Sequence, residues 1–303
     1  MEVVLDNMLS IGVAEMIEID FLTADGRSLH AYDVGSTGHT DELVVLWHHG
    51  TPNTGAPPEP LFEAARSLGI RWISYDRPGY GGSTPHPSAT VAAAAADARQ
   101  IADQLGMGRF AVFGHSGGGP RALACGALLP DRVLAVVSVS SPAPWRAPGL
   151  DYFAGMSAGS THQLRAATQG RAALEEVLAS NEFDPQSFVP ADHAALEGNW
   201  SWFNGVVEAA TANGLDGMVE DDLGTTAPWG FDLADIVAPT LIMHGTDDRM
   251  VPSSHGEWLA AHCPGAELRL QRGVGHISVL DSAPRALAWL RRIVTGLPDD
   301  ARS

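Results

Sequence analysis

The sequence predicts an α/β fold: a mostly parallel, doubly wound sheet with helices on both faces and one helical insertion. Three observations predict it. Strand-like apolar runs alternate with helix-like segments up to about residue 140 and again from residue 239. One such run, Phe110 to Phe113, breaks into Gly114-His115-Ser116-Gly117-Gly118 and then into an alanine- and leucine-rich segment. Between residues 141 and 238 the alternation stops and no convincing strand run is left. Strands separated by helices assemble side by side in parallel, with their crossover helices covering the sheet.

The elements follow in order. Glu15–Leu22 and Ser28–Val34 flank Asp25-Gly26 and read as a hairpin. Leu43–Trp47 is a continuous apolar run, hence a buried strand. Leu61–Leu68 has helical spacing and ends at Gly69, a residue suited to a helix C-terminus. Arg71–Tyr75 is the next strand, and Val91–Leu105 is an alanine-rich helix that stops at Gly106. After Phe110–Phe113 come a helix over Arg121–Leu129 and a strand over Val133–Val139. Late in the chain, Pro239–Met243 and Glu267–Leu270 read as strands, Gly256–His262 and Pro284–Val294 as helices, and Asp299–Ser303 as a frayed tail. The expected division is a core of residues 1–140 and 239–303, with residues 141–238 as a helical cap. Within the cap Arg171–Ser180 is the clear helix.

Composition narrows the function classes. The 303 residues carry 36 acidic and 18 basic side chains, a formal charge of −18. That balance repels phosphate backbones and anionic lipid, which disfavours nucleic acid and membrane surfaces as partners and leaves a small-molecule substrate. Every basic residue is arginine, so lysine catalysis, Schiff bases and a lysine phosphate loop are excluded. Cys125 and Cys263 lie far apart and read as buried free thiols. Met1–Asp20 holds five acidic residues and lacks the positive start and apolar run of a secretory signal, which points to the cytoplasm. No pattern in the chain specifies an oligomeric state.

Strand, tight turn and helix are the context in which G-x-S-x-G presents a nucleophilic serine. Gly114 and Gly118 allow the turn to close on a strained Ser116. A serine hydroxyl needs a histidine to take its proton and an acid to orient that histidine. Downstream histidines are His162, His193, His244, His255, His262 and His276. His276 follows the last strand in Gly273-Val274-Gly275-His276, at the strand end where catalytic groups of parallel sheets gather. The acid is expected after the Pro239–Met243 strand, where Asp247 and Asp248 both stand. One would orient His276 and the other would act locally. The developing oxyanion needs N–H donors. Gly117 supplies one, and Thr51, in His48-His49-Gly50-Thr51-Pro52-Asn53, the other, since Pro52 has none.

In these respects the chain resembles the α/β-hydrolase superfamily, over about residues 15 to 296. His49-Gly50-Thr51-Pro52 is similar to the family's His-Gly oxyanion loop. Asp76-Arg77-Pro78-Gly79-Tyr80-Gly81-Gly82-Ser83 resembles its structural D-x-x-G-x-G-x-S turn. Gly114–Gly118 matches the elbow, and Gly275-His276 the histidine loop. Gly245-Thr246-Asp247-Asp248-Arg249-Met250-Val251-Pro252 resembles the G-x-x-D-x-x-V-P acid loop, whose fourth residue selects Asp248.

The resemblance implies a serine hydrolase, and Ser116 argues against the aspartate-based dehalogenases and epoxide hydrolases of the fold. The expected reaction is hydrolysis of a small carboxylic ester through an acyl-enzyme, with Ser116, His276 and Asp248 as triad and Thr51 and Gly117 as oxyanion donors. No metal or organic cofactor is implied. His49, Trp145, Trp200, Trp202 and Phe203 are the candidates for the substrate pocket. The alternatives are an aminopeptidase of proline iminopeptidase type; carbon–carbon hydrolysis, perhydrolysis or cyanohydrin cleavage on the same triad; or a ligand-binding member that does not use it. An aminopeptidase would need acids for the substrate ammonium. Glu197, Glu208 and Glu220-Asp221-Asp222 are available, and on so acidic a chain they read as solvated surface.

Overall fold

The computed structural model describes residues 16–87, 90–180 and 184–296. Glu15 of the first expected strand and the 299–303 tail lie outside the described residues. Eight strands form one sheet: β1 (Ile17–Leu22), β2 (Ser28–Asp33), β3 (Leu43–His48), β4 (Ile70–Tyr75), β5 (Phe110–His115), β6 (Val133–Val139), β7 (Thr240–Gly245) and β8 (Glu267–Gln271). Their order is β1-β2-β4-β3-β5-β6-β7-β8. β1 and β2 form an antiparallel hairpin, β2 pairs antiparallel with β4, and the remaining strands run parallel.

The order matters for function. From β3 the chain goes to β4 on one side, then crosses to β5 on the other. Loops leaving the carboxyl ends of β3 and β5 therefore diverge and open a crevice, the usual ligand position in an open parallel sheet. The registered pair His48 and Gly114 sits at its base.

Side chains alternate along each central strand and feed two cores. Phe110 and Val112 of β5 enter one, Ala111 and Phe113 the other. The first is closed by α2 (Ala93–Gln104), α3 (Gly118–Leu128) and α9 (Ser253–His262), through Ile101, Leu123 and Leu259. The second is closed by α1 (Phe62–Ser67) and α10 (Ala283–Thr295), through Ala65 and Leu287. Phe113 lies 5.5 Å from Trp47 and 6.0 Å from Trp72, ring centre to ring centre. Each such pair adds about 0.5–1.5 kcal/mol beyond its buried area.

Most expected elements appear within a few residues of their expected bounds. The helix expected from Arg121 starts instead at Gly118, despite Gly118-Gly119-Pro120. Helix interiors disfavour glycine and proline, but the first turn needs no N–H partners, so proline is tolerated there. The helix expected over Gly256–His262 begins earlier, at Ser253 after Pro252. Between β6 and β7 stand α4 (Ala158–Gln169), α5 (Arg171–Ser180), α6 (Pro190–Glu197), α7 (Trp202–Thr211) and α8 (Asp216–Thr226). α4, α5 and α8 share a small core of their own around Ala166, Ala167, Leu174 and Val219. Cys125 and Cys263 are free and buried. Among the described residues no helix is long and apolar enough to cross a membrane.

Candidate active site

Ser116 stands between β5 and α3 with φ of 53°, a left-handed conformation costly for a side-chain-bearing residue. The turn holds it there: Ser116 N–H donates to Val139 O at 2.9 Å, and Gly119 N–H donates to Ser116 O at 2.9 Å. A Cβ on Gly114 would come within 2.3 Å of Gly118 O, and one on Gly118 within 1.9 Å of His48 O. Both positions therefore require glycine.

His276 follows β8 and Asp248 follows β7. Asp248 is 4% exposed, and its Oδ1 accepts from the N–H groups of Met250 and Val251 at 2.9 Å each. Its Oδ2 accepts from His276 Nδ1–H at 2.8 Å, which leaves His276 Nε2 as an acceptor. Ser116 Oγ–H donates to that nitrogen at 2.9 Å. Burial alone would lower the His276 pKa, but the charge and hydrogen bond of Asp248, with Asp192 adding, raise it above 6.5. Burial likewise opposes charge on Asp248. His276 and His244 outweigh it and hold the carboxyl well below the usual range. Asp247 is exposed and accepts from Thr246 Oγ1–H at 2.8 Å, a local bond away from His276.

Across the crevice lie Thr51 and Gly117. Among the described residues neither N–H donates to another group. The positions are close, since a Cβ on Gly117 would sit 3.6 Å from Thr51 N. The two donors are braced from behind. Arg77 donates to the carbonyls of His49 and Gly50, and Arg121 Nη1 to Gly117 O at 2.8 Å. Both guanidiniums meet one carboxylate, Asp221 of α8. Arg77 reaches it through Nε at 3.0 Å and Nη2 at 2.5 Å, Arg121 through Nη2 at 3.1 Å. Tyr80 Oη–H and Thr51 Oγ1–H also donate to Asp221, at 3.0 and 2.6 Å. Burial disfavours the Asp221 charge, but the two arginines prevail and keep its pKa below the ordinary value.

A cavity of about 690 Å³ opens over Ser116, floored by Thr51, Ser116 and His276. Its wall comes from the inserted segment, including Phe188, Leu196, Phe203, Val207 and Met218. Of the five expected pocket residues, Phe203 lines it and the others do not. Trp200 is in the core beneath, 2% exposed, with Nε1–H donating to Asp281 at 2.9 Å. Trp202 is half-buried and packs 5.0 Å from Phe203 on the core side. Trp145 packs on Tyr152 and Phe153, at 5.1 and 5.4 Å. His49 is buried and braces its own loop, accepting from Arg77 N–H at 3.0 Å and donating through Nδ1–H to Gly50 O at 2.8 Å. Buried indole and imidazole N–H groups seek acceptors, and Trp200 and His49 find theirs within the framework.

The expectation of a solvated acidic stretch in the cap also fails. Glu220, Asp221 and Asp222 are all buried, while Glu197 and Glu208 are exposed. One further carboxyl group of the inserted segment, Asp192, has no signal in the sequence because its partners are distant in the chain. Asp192 of α6 is fully buried and accepts from the N–H groups of His276, Ile277 and Ser278, at 3.1, 2.9 and 2.8 Å, which fixes the histidine loop. Asp222 lies beside Ser116 in a smaller hollow. Among the described residues no group of three or more His, Cys, Asp or Glu side chains is arranged to hold a metal ion.

A family model described as the alpha/beta hydrolase fold matches residues 44–283, most of the chain. The protein belongs to that family and is an α/β-hydrolase enzyme. A 2-hydroxy-6-oxononadienedioate/2-hydroxy-6-oxononatrienedioate hydrolase of Klebsiella pneumoniae is 28% identical over 277 residues, covering 84% of this chain and 88% of its own. A non-heme chloroperoxidase of Streptomyces lividans is 28% identical over 274 residues, covering 88% and 95%. Among solved structures, an enol-lactonase from Burkholderia xenovorans superposes with a TM-score of 0.68 at 19% identity, covering 91% of this chain and all of that one (100%). An esterase from Exiguobacterium antarcticum gives 0.65 at 22%, covering 92% and 100%. These two likenesses show the fold alone, which hosts many chemistries.

Proposed function

We propose that the protein hydrolyses small carboxylic esters through an acyl-enzyme on Ser116. The observation that carries this reading is the continuous pair of hydrogen bonds from Ser116 through His276 to Asp248, at 2.9 and 2.8 Å. Ser116 Oγ attacks the ester carbonyl as His276 Nε2 takes its proton. The new Oγ–C bond forms and the oxyanion is held by the N–H groups of Thr51 and Gly117. The ester C–O bond then breaks, and the imidazolium returns its proton to the leaving alkoxide. Water, deprotonated by His276, releases the acid and restores Ser116. Asp248 keeps the tautomer that makes Nε2 the base and stabilises the imidazolium.

An ester is favoured over an aminoacyl substrate by the charges nearby. Of the cap acids, Asp221 is engaged by two guanidiniums and Glu220 pairs with Arg171, while Glu208, which lines the main cavity, is exposed and its charge is screened by solvent. Burial pushes the carboxyl of Asp222 up to about 7, so it offers a substrate ammonium no firm anion. On this reading residues 1–140 and 239–303 act as the core and 141–238 as a cap, which supplies the apolar wall of the cavity. A panel of p-nitrophenyl esters and aminoacyl p-nitroanilides tests the reading. Turnover of short esters, lost in Ser116→Ala, is expected. Turnover of a prolyl anilide with no ester cleaved would overturn it.

A further inference from the structure

Beside Ser116 the main cavity has an annex of about 80 Å³, sharing Thr51, Ser116, Gln163 and Met250 with it. Room of this size admits on the order of two or three water-sized groups. Its wall is polar in an unusual way. Asp222 is 6% exposed, and Gln163 Nε2–H donates to its Oδ2 at 2.7 Å. Among the described residues no donor reaches its Oδ1. Tyr152 is 4% exposed, and its hydroxyl is buried with no hydrogen-bond partner among the described residues. The ring is fixed by T-shaped contacts with Trp145, Phe153 and His255, at 5.1, 5.3 and 4.8 Å. A buried, unmet hydroxyl is costly to the fold, so a group that satisfies it binds with advantage.

The annex also has a definite place in the reaction. Thr51 and Ser116 border both spaces, Gly117 borders only the annex, and His276 borders only the main cavity. The leaving alkoxide takes its proton from His276 Nε2 and must therefore lie in the main cavity. The acyl substituent then points the other way, into the annex. Its neighbour Asp221 carries two guanidiniums, so a cationic substituent would meet an excess of positive charge. A carboxylate substituent would face the lone pairs of Asp222. A neutral hydroxyl carries what both groups lack: a donor for Asp222 Oδ1 and an acceptor for Tyr152 Oη–H.

We propose that the annex is an acyl subsite, and that the preferred substrates are esters of short hydroxy acids whose hydroxyl sits between Asp222 and Tyr152. This rests on the ester-hydrolase reading above. The test compares kcat/KM for ethyl 2-hydroxypropanoate, ethyl 2-aminopropanoate and ethyl propanoate in the parent enzyme, Tyr152→Phe and Asp222→Asn. The hydroxy ester should be preferred over the plain ester by roughly tenfold or more, since a site built to bind a hydroxyl rejects the analogue lacking it. That ratio should fall severalfold in both variants. Tyr152→Phe removes only a hydroxyl with no partner in the fold, so its folding is secure. Equal turnover of the three esters, preference for the amino ester, or a hydroxy preference unchanged in both variants overturns the subsite alone. No turnover of any ester, with no fluorophosphonate adduct on Ser116, overturns the hydrolase reading and the subsite with it.

Discussion

Thr51 Oγ1–H donates a 2.6 Å hydrogen bond to Asp221 Oδ2, across 170 residues of chain. The same carboxylate gathers Arg77 and Arg121, which hold the carbonyls of Gly50 and Gly117. One buried anion on an inserted helix thus braces the peptide that presents the Thr51 N–H and, through Gly117 O, the residue that presents the other proposed oxyanion donor. Electrostatic stabilisation of this kind depends on donors already in place before charge develops.

Asp221→Ala should leave two buried guanidiniums facing no anion. Removing one partner of a buried ion pair costs about 3–5 kcal/mol. Urea denaturation should show a loss of that order, and the surviving folded enzyme should lose kcat more than KM. A variant as stable as the parent would mean that the cluster contributes nothing to the fold.

The pH profile follows from His276. The base must be neutral to accept the Ser116 proton. Its pKa is raised by Asp248, so protonation persists to higher pH than for a free imidazole. The acid limb of kcat/KM should therefore have its midpoint above pH 6.5. Asp248→Asn removes the charge that raises it, so the limb should move to lower pH. The wrong tautomer should also lower kcat by roughly 10³–10⁴. Initial rates from pH 5 to 9 check both shifts.

Asp222 should make the fold less stable as pH rises. Its carboxyl is raised from 3.8 to about 7, chiefly by burial, with Asp221 adding to it. Between those values the unfolded chain has lost the proton that the fold retains, so unfolding is increasingly favoured with rising pH and the penalty is complete above about 7. Asp222→Asn removes the titration. Relative to the parent, its Tm should be higher at pH 8 by several degrees, with the gain shrinking toward pH 4. A pH-independent difference between the two proteins would contradict the assignment.

The parts of the site legible in the sequence are those whose chemistry is local. Gly114 and Gly118 are demanded by the turn that carries Ser116, and the glycines around His276 and Asp248 mark loops at strand ends. The alternation of strands and helices likewise records which faces are buried. Asp221 was illegible because its arginine partners lie 144 and 100 positions away, and a run of three acids reads as solvated surface until those partners are seen. The tryptophans misled for a related reason. Their size suggests a substrate wall, but Trp200 has its indole partner in Asp281, and the apolar wall is built from Phe188, Phe203, Met218 and aliphatic side chains of the inserted segment.

The most direct test of the central claim is the reaction of the intact protein with a fluorophosphonate, read by mass spectrometry of its peptides and by ester hydrolysis. The account predicts one adduct, on Ser116, formed in step with the loss of esterase activity, and much slower labelling in His276→Ala. An unlabelled Ser116, or ester hydrolysis that persists after Ser116 is fully modified, would contradict it.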